Sequence, residues 1–313
     1  MAERRNELGW SRSRAGAFDA CPRRYWFIYY GARDWWLSPP DSRTREIHIL
    51  KNLATRFMWI GSVVHESIEN VLRRMQSGER PDATAVAEAA LERMRTDFRD
   101  SRAGKHRERP GKACGLFEHE YAIPVSDQRW REGAEHAKAC LANFFRSPYP
   151  ETFAGLGPES WLPIETLDSF DLGGDRIHVK LDAAFRRPDG RVEIVDWKTG
   201  RRDRGGEGGD RVQLACYALY ALEKGWVDRP EEIVTVEYGL AGMTSHVREV
   251  DPRAIAEVRE YIGVSIGGMK ALLDDVEQNV ATEGRFPTQA SADNCRQCNF
   301  RRVCPDAPRT RGH

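Results

Sequence analysis

The chain has 313 residues, of which 40% are hydrophobic and 31% are charged, and its basic and acidic side chains balance to no net charge. This length can bury a substantial core, and no apolar run approaches the roughly 20 residues that a membrane-spanning helix needs. The N-terminus leads into no apolar segment of the kind found in secretory signals. We therefore expect a cytoplasmic protein, in which clustered cysteines favour metal binding or catalysis over disulfides.

The first half of the chain is predicted to be mostly helical. Apolar residues at helical spacing predict a helix over 60–75, and an alanine-rich stretch predicts a second helix over 83–98. A basic, glycine-containing loop is expected over 100–113. A third helix is predicted over 130–145, where it ends shortly before a proline.

Strands dominate the second half. The predicted elements are strands over 161–167, 176–185 and 192–198, a helix over 211–224, strands over 233–238 and 246–250, and a helix from 252 to about 281. The second and third strands are expected to form a hairpin about a Pro-Asp-Gly turn. The last helix has an aspartate cap followed by proline. This order predicts an α/β protein with a mixed sheet, a crossing helix and a long final helix.

Two aspartates and a lysine lie on the predicted hairpin. Asp196 and Lys198 are two apart on one strand, so their side chains point to the same face. Asp182 lies on the partner strand, within reach of Asp196. Paired carboxylates suit Mg²⁺ or Mn²⁺, which polarise a phosphate and activate water. Lys198 would orient that water or stabilise developing charge, while Trp197 would offer its backbone carbonyl to the metal and its ring to the core.

Each of these signals also has a less specific explanation. An Asp-x-Lys pair is common as an ion pair on exposed strands. His65, four residues after Gly61 on one helix face, is either a third metal ligand or an ordinary core or surface histidine. Gln213 and Tyr217 either hydrogen-bond a phosphate or base, or simply form a half-exposed helix face. The apolar run before Asp196 favours the catalytic interpretation.

The C-terminal tail carries three closely spaced cysteines. Cys295 and Cys298 are separated by two residues, which allows one metal centre to be chelated from a single turn, and Cys304 closes around it. Three thiolates leave a fourth position open. Four thiolates suit either Zn²⁺ or a [4Fe–4S] cluster. The isolated cysteines, which we expect to be structural, are Cys114, Cys140 and Cys216.

Taken in order, these motifs resemble the RecB-like branch of the PD-(D/E)XK nucleases. The motifs are Gly61-x3-His65, Leu181-Asp182, Asp196-x-Lys198-Thr199-Gly200 and Gln213-x3-Tyr217. The resemblance implies an α/β, restriction-endonuclease-like core with a central mixed sheet flanked by helices. The metal ligands that it implies are His65, Asp182 and Asp196. It also implies that Lys198 is catalytic and that Gln213 and Tyr217 support the active site or DNA.

The sequence departs from the family pattern at two positions. The family often has glycine two residues before the first aspartate, where Lys180 stands here, and the proline of the family name is replaced by Leu181. The lysine bears on how closely DNA or metal approaches that strand rather than on the ligand set. Residues 77–160 match no part of the family pattern.

The tail is similar to the iron–sulfur members of this branch, namely the AddB nuclease domain and the CRISPR-associated RecB-like exonucleases. Residues 11–30 resemble the segment that carries the first cluster cysteine in those proteins. The resemblance therefore implies a [4Fe–4S] cluster held by Cys21, Cys295, Cys298 and Cys304. The expected organisation is an N-terminal cluster segment over 1–59, a helical region with His65 over 60–160, the nuclease core over 161–250, and a long helix with the cluster tail over 251–313.

We therefore expect a metal-dependent DNA nuclease, a single-strand or end-directed exonuclease serving DNA repair, recombination, CRISPR adaptation or phage defence. Basic runs over 99–112 and 296–311 would attract phosphates, although such runs are often only solvated surface. The sequence has no Gly-x4-Gly-Lys-Ser/Thr motif, so ATP-driven unwinding would need a helicase partner. The alternatives are a catalytically weak DNA-end-binding module that acts with such a helicase, and a zinc-bound interaction protein.

Overall fold

A computed structural model of the chain describes residues 8–39, 41–200 and 211–308. The described residues form two compact units, each assembled from separated segments of the chain. The cysteine unit comprises Met1–Thr55, Asp97–Pro124 and Ile262–His313, and the sheet unit comprises Arg56–Thr96 and Val125–Tyr261. The four-part division expected from the sequence stays a prediction.

Most helices of the described chain come before Leu167, and the longer strands follow from that residue onwards. The helices are α1 (Arg12–Ala20), α2 (Pro22–Tyr29), α3 (Arg43–Lys51), α4 (Arg56–Gln76), α5 (Ala83–Arg102), α6 (Lys105–Glu108), α7 (Phe117–Glu120), α8 (Asp127–Arg146), α9 (Tyr149–Ala154), α10 (Arg211–Glu223), α11 (Pro252–Lys270) and α12 (Ala292–Arg296). The strands are β1 (Gly9–Trp10), β2 (Leu53–Ala54), β3 (Gly115–Leu116), β4 (Leu167–Leu172), β5 (Asp175–Lys180), β6 (Ala183–Arg186), β7 (Val192–Lys198), β8 (Ile233–Gly239) and β9 (Thr244–Glu249). Among the described residues, no helix combines the length and apolar character that crossing a bilayer requires.

A four-stranded mixed sheet forms the centre of the sheet unit. Its order is β6-β7-β8-β9, with β7 and β8 parallel and the two outer pairs antiparallel. A parallel pair needs a crossover connection, and helix α10 lies between β7 and β8 in the chain. Residues of both faces of β7 and β8 are buried, as expected for a parallel pair covered on two sides. The α/β class predicted from the sequence is confirmed.

Helices α4 and α8 supply much of the core of this unit. Val63, Val64 and Ile68 of α4 are fully buried, and so is Phe144 of α8. The Phe144 ring meets the Trp197 ring of β7 edge-on, with ring centres 5.5 Å apart. Burying side chains of this size stabilises the fold by roughly 1.5–3 kcal/mol each. This packing fixes the helix that carries His65 within the sheet unit.

In the cysteine unit, the N-terminal helices pack against the C-terminal tail. The Phe27 and Phe300 rings stack with centres 4.9 Å apart. Trp26 Nε1 donates to the Ala281 carbonyl at 2.9 Å, and the Tyr30 hydroxyl donates to Asn279 Oδ1 at 2.7 Å. Apolar burial and buried hydrogen bonds thus join the two ends of the chain within this unit.

The basic runs contribute side chains to ion pairs of the cysteine unit. Arg107 and Arg302 both pair with Glu46, at 2.6 and 3.0 Å, and both contact Glu120. Arg301 stacks over the Tyr121 ring, with its guanidinium carbon 4.0 Å from the ring centre. These three arginines therefore stabilise the fold. The sequence predicted only that the basic runs attract phosphates.

Two predicted elements end elsewhere than expected. The final helix stops at Lys270 rather than near 281. The chain there turns back on itself, with Arg285 Nη2 donating to the Ala271 carbonyl at 2.9 Å and Asn279 in the left-handed region at a φ of 49°. In the predicted loop over 100–113, α5 extends to Arg102 and α6 forms one further helical turn.

The predicted strand over 161–167 is also wrong. Residues 161–166 are irregular apart from an isolated bridge at Trp161. Pro163 removes a backbone donor, and Glu165 adopts a positive φ of 48°, which a regular strand does not accommodate. The strand begins instead at Leu167 and forms a hairpin, β4–β5, about Gly173 and Gly174, both of which have positive φ.

The single strand predicted over 176–185 is divided into β5 and β6. Strand β5 pairs with β4, and only β6 pairs with β7. The break lies at Leu181 and Asp182, where the Asp182 carboxylate accepts a hydrogen bond from the Trp197 N–H at 2.8 Å. A side chain thus replaces the backbone acceptor at this point, which ends the ladder and leaves Asp182 at the edge of the hairpin.

Candidate active site

Three side chains with metal-binding atoms converge in the sheet unit. His65 comes from α4, Asp182 from the start of the β6–β7 hairpin, and Glu165 from the irregular segment before β4. One ligand atom of each residue lies within 4.8 Å of the others. His65 Nδ1 lies 3.3 Å from Asp182 Oδ1 and 3.6 Å from Glu165 Oε1. One imidazole with two carboxylates is a donor set that fits Mn²⁺ or Mg²⁺.

Asp182 and Asp196 face each other across the hairpin. Ala183 pairs with Val195 in the ladder, so the next position along places the two aspartates opposite. Asp196 is only 2% exposed. Burial, together with the nearby Asp182 carboxylate, raises the pKa of Asp196 well above its ordinary value. Two carboxylates that resist joint ionisation stabilise a cation between or beside them.

The charge state of His65 depends on the two carboxylates beside it, those of Asp182 and Glu165. Burial alone would lower the pKa of His65, but the Asp182 and Glu165 carboxylates raise it to about 10. Without a bound cation, the imidazole therefore carries a positive charge at neutral pH. The carboxylates favour a cation at this position, and a metal that binds His65 must displace its proton.

Lys198 lies beside this group and is held by two acceptors. Its Nζ is 2.5 Å from Asp196 Oδ2 and donates to Gln213 Oε1 at 3.1 Å. Gln213 Nε2 in turn donates to the Tyr217 hydroxyl at 2.6 Å. This second bond orients the amide so that its oxygen faces the ammonium group. Burial works against the charge of Lys198, but Asp196 raises the pKa of its ammonium group above the ordinary value.

The structure brings together most of the residues that the sequence singled out. The side chains found in this arrangement are those of His65, Asp182, Asp196, Lys198, Gln213 and Tyr217. Trp197 donates its backbone N–H to Asp182, and its ring packs against Phe144 and Tyr149. Its carbonyl as a metal ligand stays a prediction.

Glu165 was not predicted from the sequence. It sits in an irregular segment with a positive φ, where neither helical nor strand spacing relates it to the other residues. Its Oε2 lies 2.5 Å from Lys180 Nζ. The one sequence feature that could have drawn attention to Glu165 is its position two residues after Pro163, in a stretch without clear periodicity.

The residues after Lys198 are also held in place. His136 of α8 lies with Nε2 2.6 Å from the Thr199 carbonyl oxygen, a contact that the sequence did not indicate. A Cβ atom placed on Gly61 would lie 3.4 Å from Thr199 Oγ1. Helices α4 and α8 thus both fix the end of β7, immediately beyond the lysine.

In the cysteine unit, Cys21, Cys295, Cys298 and Cys304 line one pocket. Arg23, Arg24 and Arg301 lie around them. The Gln289 N–H donates to Cys21 Sγ at 3.4 Å. Burial raises the pKa of the Cys298 thiol, and the nearby Cys295 and Cys21 sulfurs raise it further. The four cysteines from the two ends of the chain are therefore neighbours.

The family model for the PD-(D/E)XK nuclease superfamily matches residues 9–305, which is nearly the whole chain. The chain therefore belongs to the PD-(D/E)XK nuclease superfamily, whose members are nucleases that use divalent metals and act on DNA. No curated protein matches the chain. Among solved structures, the crystal structure of SSO0001 is similar at 18% identity, with a TM-score of 0.28, over 60% of this chain and 91% of that one.

Proposed function

We propose that the chain is a metal-dependent deoxyribonuclease that hydrolyses phosphodiester bonds in single-stranded DNA or at DNA ends, as an exonuclease. The observation that carries this proposal is the position of Lys198. Its ammonium group is held by Asp196 and Gln213, directly beside the donor set of His65, Glu165 and Asp182. A cationic donor next to a divalent-metal site is suited to phosphodiester hydrolysis, because both stabilise the negative charge that develops on the phosphate.

The donor set fits Mg²⁺ or Mn²⁺ on the chemistry of its atoms. His65, Glu165 and Asp182 would hold the cation, with Asp196 as a further carboxylate and the Trp197 carbonyl as the predicted backbone ligand. A bound divalent cation supplies positive charge that polarises the phosphodiester and makes water more acidic.

The residues of the chain then have distinct roles. Lys198 orients the attacking water or neutralises charge that develops on the phosphate. Gln213 keeps the lysine extended towards the site, and Tyr217 fixes the Gln213 amide. Because Asp182 uses one oxygen for the Trp197 N–H, its other oxygen faces His65. These contacts hold the groups in one geometry before substrate binds, which lowers the barrier by avoiding reorganisation.

We also propose that the cysteine pocket holds a structural [4Fe–4S] cluster. The four cysteines line one pocket and belong to both ends of the chain. Among the described residues, no three of the thiol sulfurs all lie within 4.8 Å of one another. A tetrahedral zinc site with Zn–S bonds of about 2.3 Å would bring them to about 3.8 Å. An iron–sulfur cluster is larger than a single zinc ion and would be held by the four thiolates at a wider spacing.

The biological setting that we propose is DNA repair or recombination, or CRISPR or phage defence. The chain has no phosphate-binding motif for ATP in its sequence. Any ATP-driven unwinding of duplex DNA would therefore depend on a helicase partner, and a protein of the CRISPR adaptation machinery is the alternative partner that we propose.

The test is cleavage of end-labelled single-stranded and duplex DNA by anaerobically purified protein in Mg²⁺ or Mn²⁺. We expect metal-dependent cleavage that Lys198→Ala abolishes. Lys224→Ala is the matched control, because Lys224 pairs with Asp168 elsewhere in the sheet unit. Cleavage by Lys198→Ala at the wild-type rate would refute the proposal. No cleavage by folded, iron-loaded protein would favour a DNA-end-binding module that acts with a helicase.

A further inference from the structure

A groove of about 290 Å³ opens in the sheet unit beside Thr199 and Gly200. These residues directly follow Lys198. The walls of the groove come from the first turn of α4, with Arg56 and Phe57, and from α8, with Arg129. We call it the Phe57 groove.

Phe57 is an unusual residue for such a surface. Phe57 is 62% exposed. The Arg56 guanidinium carbon lies 4.2 Å from the centre of the Phe57 ring. An exposed aromatic ring beside a cation offers a face for stacking and a charge for a phosphate. Isolated exposed apolar residues are normal on proteins, but this one lies in a groove that adjoins the active site.

Phe57 and the metal-site residue His65 lie along the same side of α4. Phe57, Gly61 and His65 are spaced four apart, so they lie on one stripe of the helix. Eight residues at a rise of 1.5 Å each place Phe57 about 12 Å from His65 along the helix axis. At roughly 3.4 Å for each stacked nucleotide, this distance corresponds to about three to four nucleotides.

The charge and shape of the groove suit a polyanion with exposed bases. Two arginines face it, against one acid, Glu132, which accepts a hydrogen bond from Gln128 Nε2 at 3.0 Å. Ile60 contributes an apolar side chain to the lining, and it packs so close to Gly133 that a Cβ there would lie 2.9 Å from Ile60 Cδ1.

We propose that the Phe57 groove binds the single-stranded segment of the nucleic acid three to four nucleotides from the bond that is cut. Phe57 stacks on a base, and Arg56 and Arg129 contact the adjoining phosphates. A base must leave its duplex to stack on a side chain in this way, so the groove selects single strands over duplex. This inference rests on the proposed nuclease function for the position of the cut.

The test measures binding of fluorescent oligothymidines of about 2 to 12 nucleotides to Lys198→Ala protein with Ca²⁺ in place of the catalytic metal. We expect affinity to rise as the oligonucleotide passes about four nucleotides. Phe57→Ala in the same background should weaken binding of the longest oligonucleotide about 5- to 50-fold and remove this rise, whereas Phe57→Trp should retain it. Val247→Ala, at another exposed apolar position, is the control that should change nothing.

A charge test is independent of stacking. Arg129→Gln should reduce the dependence of log affinity on log salt by about 0.7, the value for one phosphate contact on a single strand. Wild-type affinity of Phe57→Ala at every length would overturn the proposal and assign the exposed ring to a protein partner.

The outcomes also separate this inference from the nuclease function. Thymidine 5′-p-nitrophenyl phosphate is too small to reach Phe57, so its hydrolysis by the wild-type protein reports the metal site without the groove. Phe57-dependent binding without any cleavage by the wild-type protein would refute the nuclease function alone. Cleavage of long single strands that does not change in Phe57→Ala would refute the groove alone.

Discussion

Lys180 Nζ lies 2.5 Å from one oxygen of Glu165, and the other oxygen of that carboxylate lies 3.6 Å from His65 Nδ1. Burial works against the charge of Glu165, but its hydrogen bonds with His65 and Lys180 lower the pKa of this carboxyl. The Lys180 ammonium group therefore pairs with Glu165, a carboxylate of the proposed metal site.

Replacing Lys180 should strengthen metal binding. Lys180→Met keeps the length of the side chain but removes a positive charge that repels a divalent cation bound at Glu165. Because Lys180 is 51% exposed, solvent screens this repulsion, and we expect Mn²⁺ affinity to rise only about 3- to 10-fold. Isothermal titration with Mn²⁺ measures the change, with Lys224→Met as the control. Unchanged or weaker binding would show that Lys180 chiefly positions Glu165.

The Tyr217 hydroxyl should influence the rate through Gln213 and Lys198. Tyr217→Phe removes the acceptor that orients the Gln213 amide, so the amide is free to turn its oxygen away from the lysine. We expect the cleavage rate at saturating DNA to fall about 2- to 10-fold, roughly the loss of one neutral hydrogen bond, with little change in KM. Tyr220→Phe on the same helix, where the hydroxyl donates to Asp168, is the control. Equal rates in both variants would exclude this positioning role.

Loss of one cluster cysteine should weaken the link between the two ends of the chain. A link from Cys21 to the tail closes a loop of about 275 residues, and such closure removes roughly 5 to 6 kcal/mol of unfolded-state entropy in the cross-link approximation. Cys298→Ala should therefore lose iron and unfold at a lower temperature, whereas Cys114→Ser should do neither. Iron and sulfide analysis with thermal unfolding measures both effects. A Cys298→Ala protein of full stability and activity would contradict the proposed cluster.

Short-range periodicity explains which parts of the site could be predicted. Asp196 and Lys198 share a strand face, and Gln213 and Tyr217 share a helix face, so spacing alone groups each pair. Glu165 could not be found in this way, because its position depends on an irregular turn that is fixed by hydrogen bonds from its backbone N–H to the Leu181 and Asp182 carbonyls, at 2.9 and 3.3 Å.

The errors in the fold have a similar origin. The strand over 176–185 looked continuous because its apolar residues alternate without interruption, but the Asp182 side chain takes the hydrogen bond that would have continued the ladder. The last helix looked longer because no glycine or proline directly follows Lys270 to mark an end, and the glycines just before it lie inside the helix. Tertiary hydrogen bonds such as that of Arg285 end it instead.

Glu120 should make the stability of the cysteine unit sensitive to acid. Its side chain is 5% exposed and is bonded by His106 Nε2 at 2.8 Å and by Arg107 and Arg302. Burial disfavours the charged form, but the hydrogen bonds from His106 and Arg302 and the charge of Arg107 lower the pKa of Glu120 from its ordinary value of 4.5 to about 2. Because the folded-state pKa is the lower one, Glu120 stabilises the fold above about pH 4.5, and this contribution is lost as the pH falls towards 2.

Glu120→Gln should therefore lower the free energy of unfolding at neutral pH by roughly 1.5–3 kcal/mol, the usual value for a hydrogen bond to a charged group. The difference from wild type should shrink as the pH falls below about 4.5. Urea unfolding of the full chain at about pH 7, 4 and 3 measures it, with both proteins in the same cluster state. Glu88→Gln, at an exposed position on α5, is the control. A difference of constant size at all three pH values would show that Glu120 contributes through its shape and neutral hydrogen bonds, because only a charge that is lost on protonation makes the difference depend on pH.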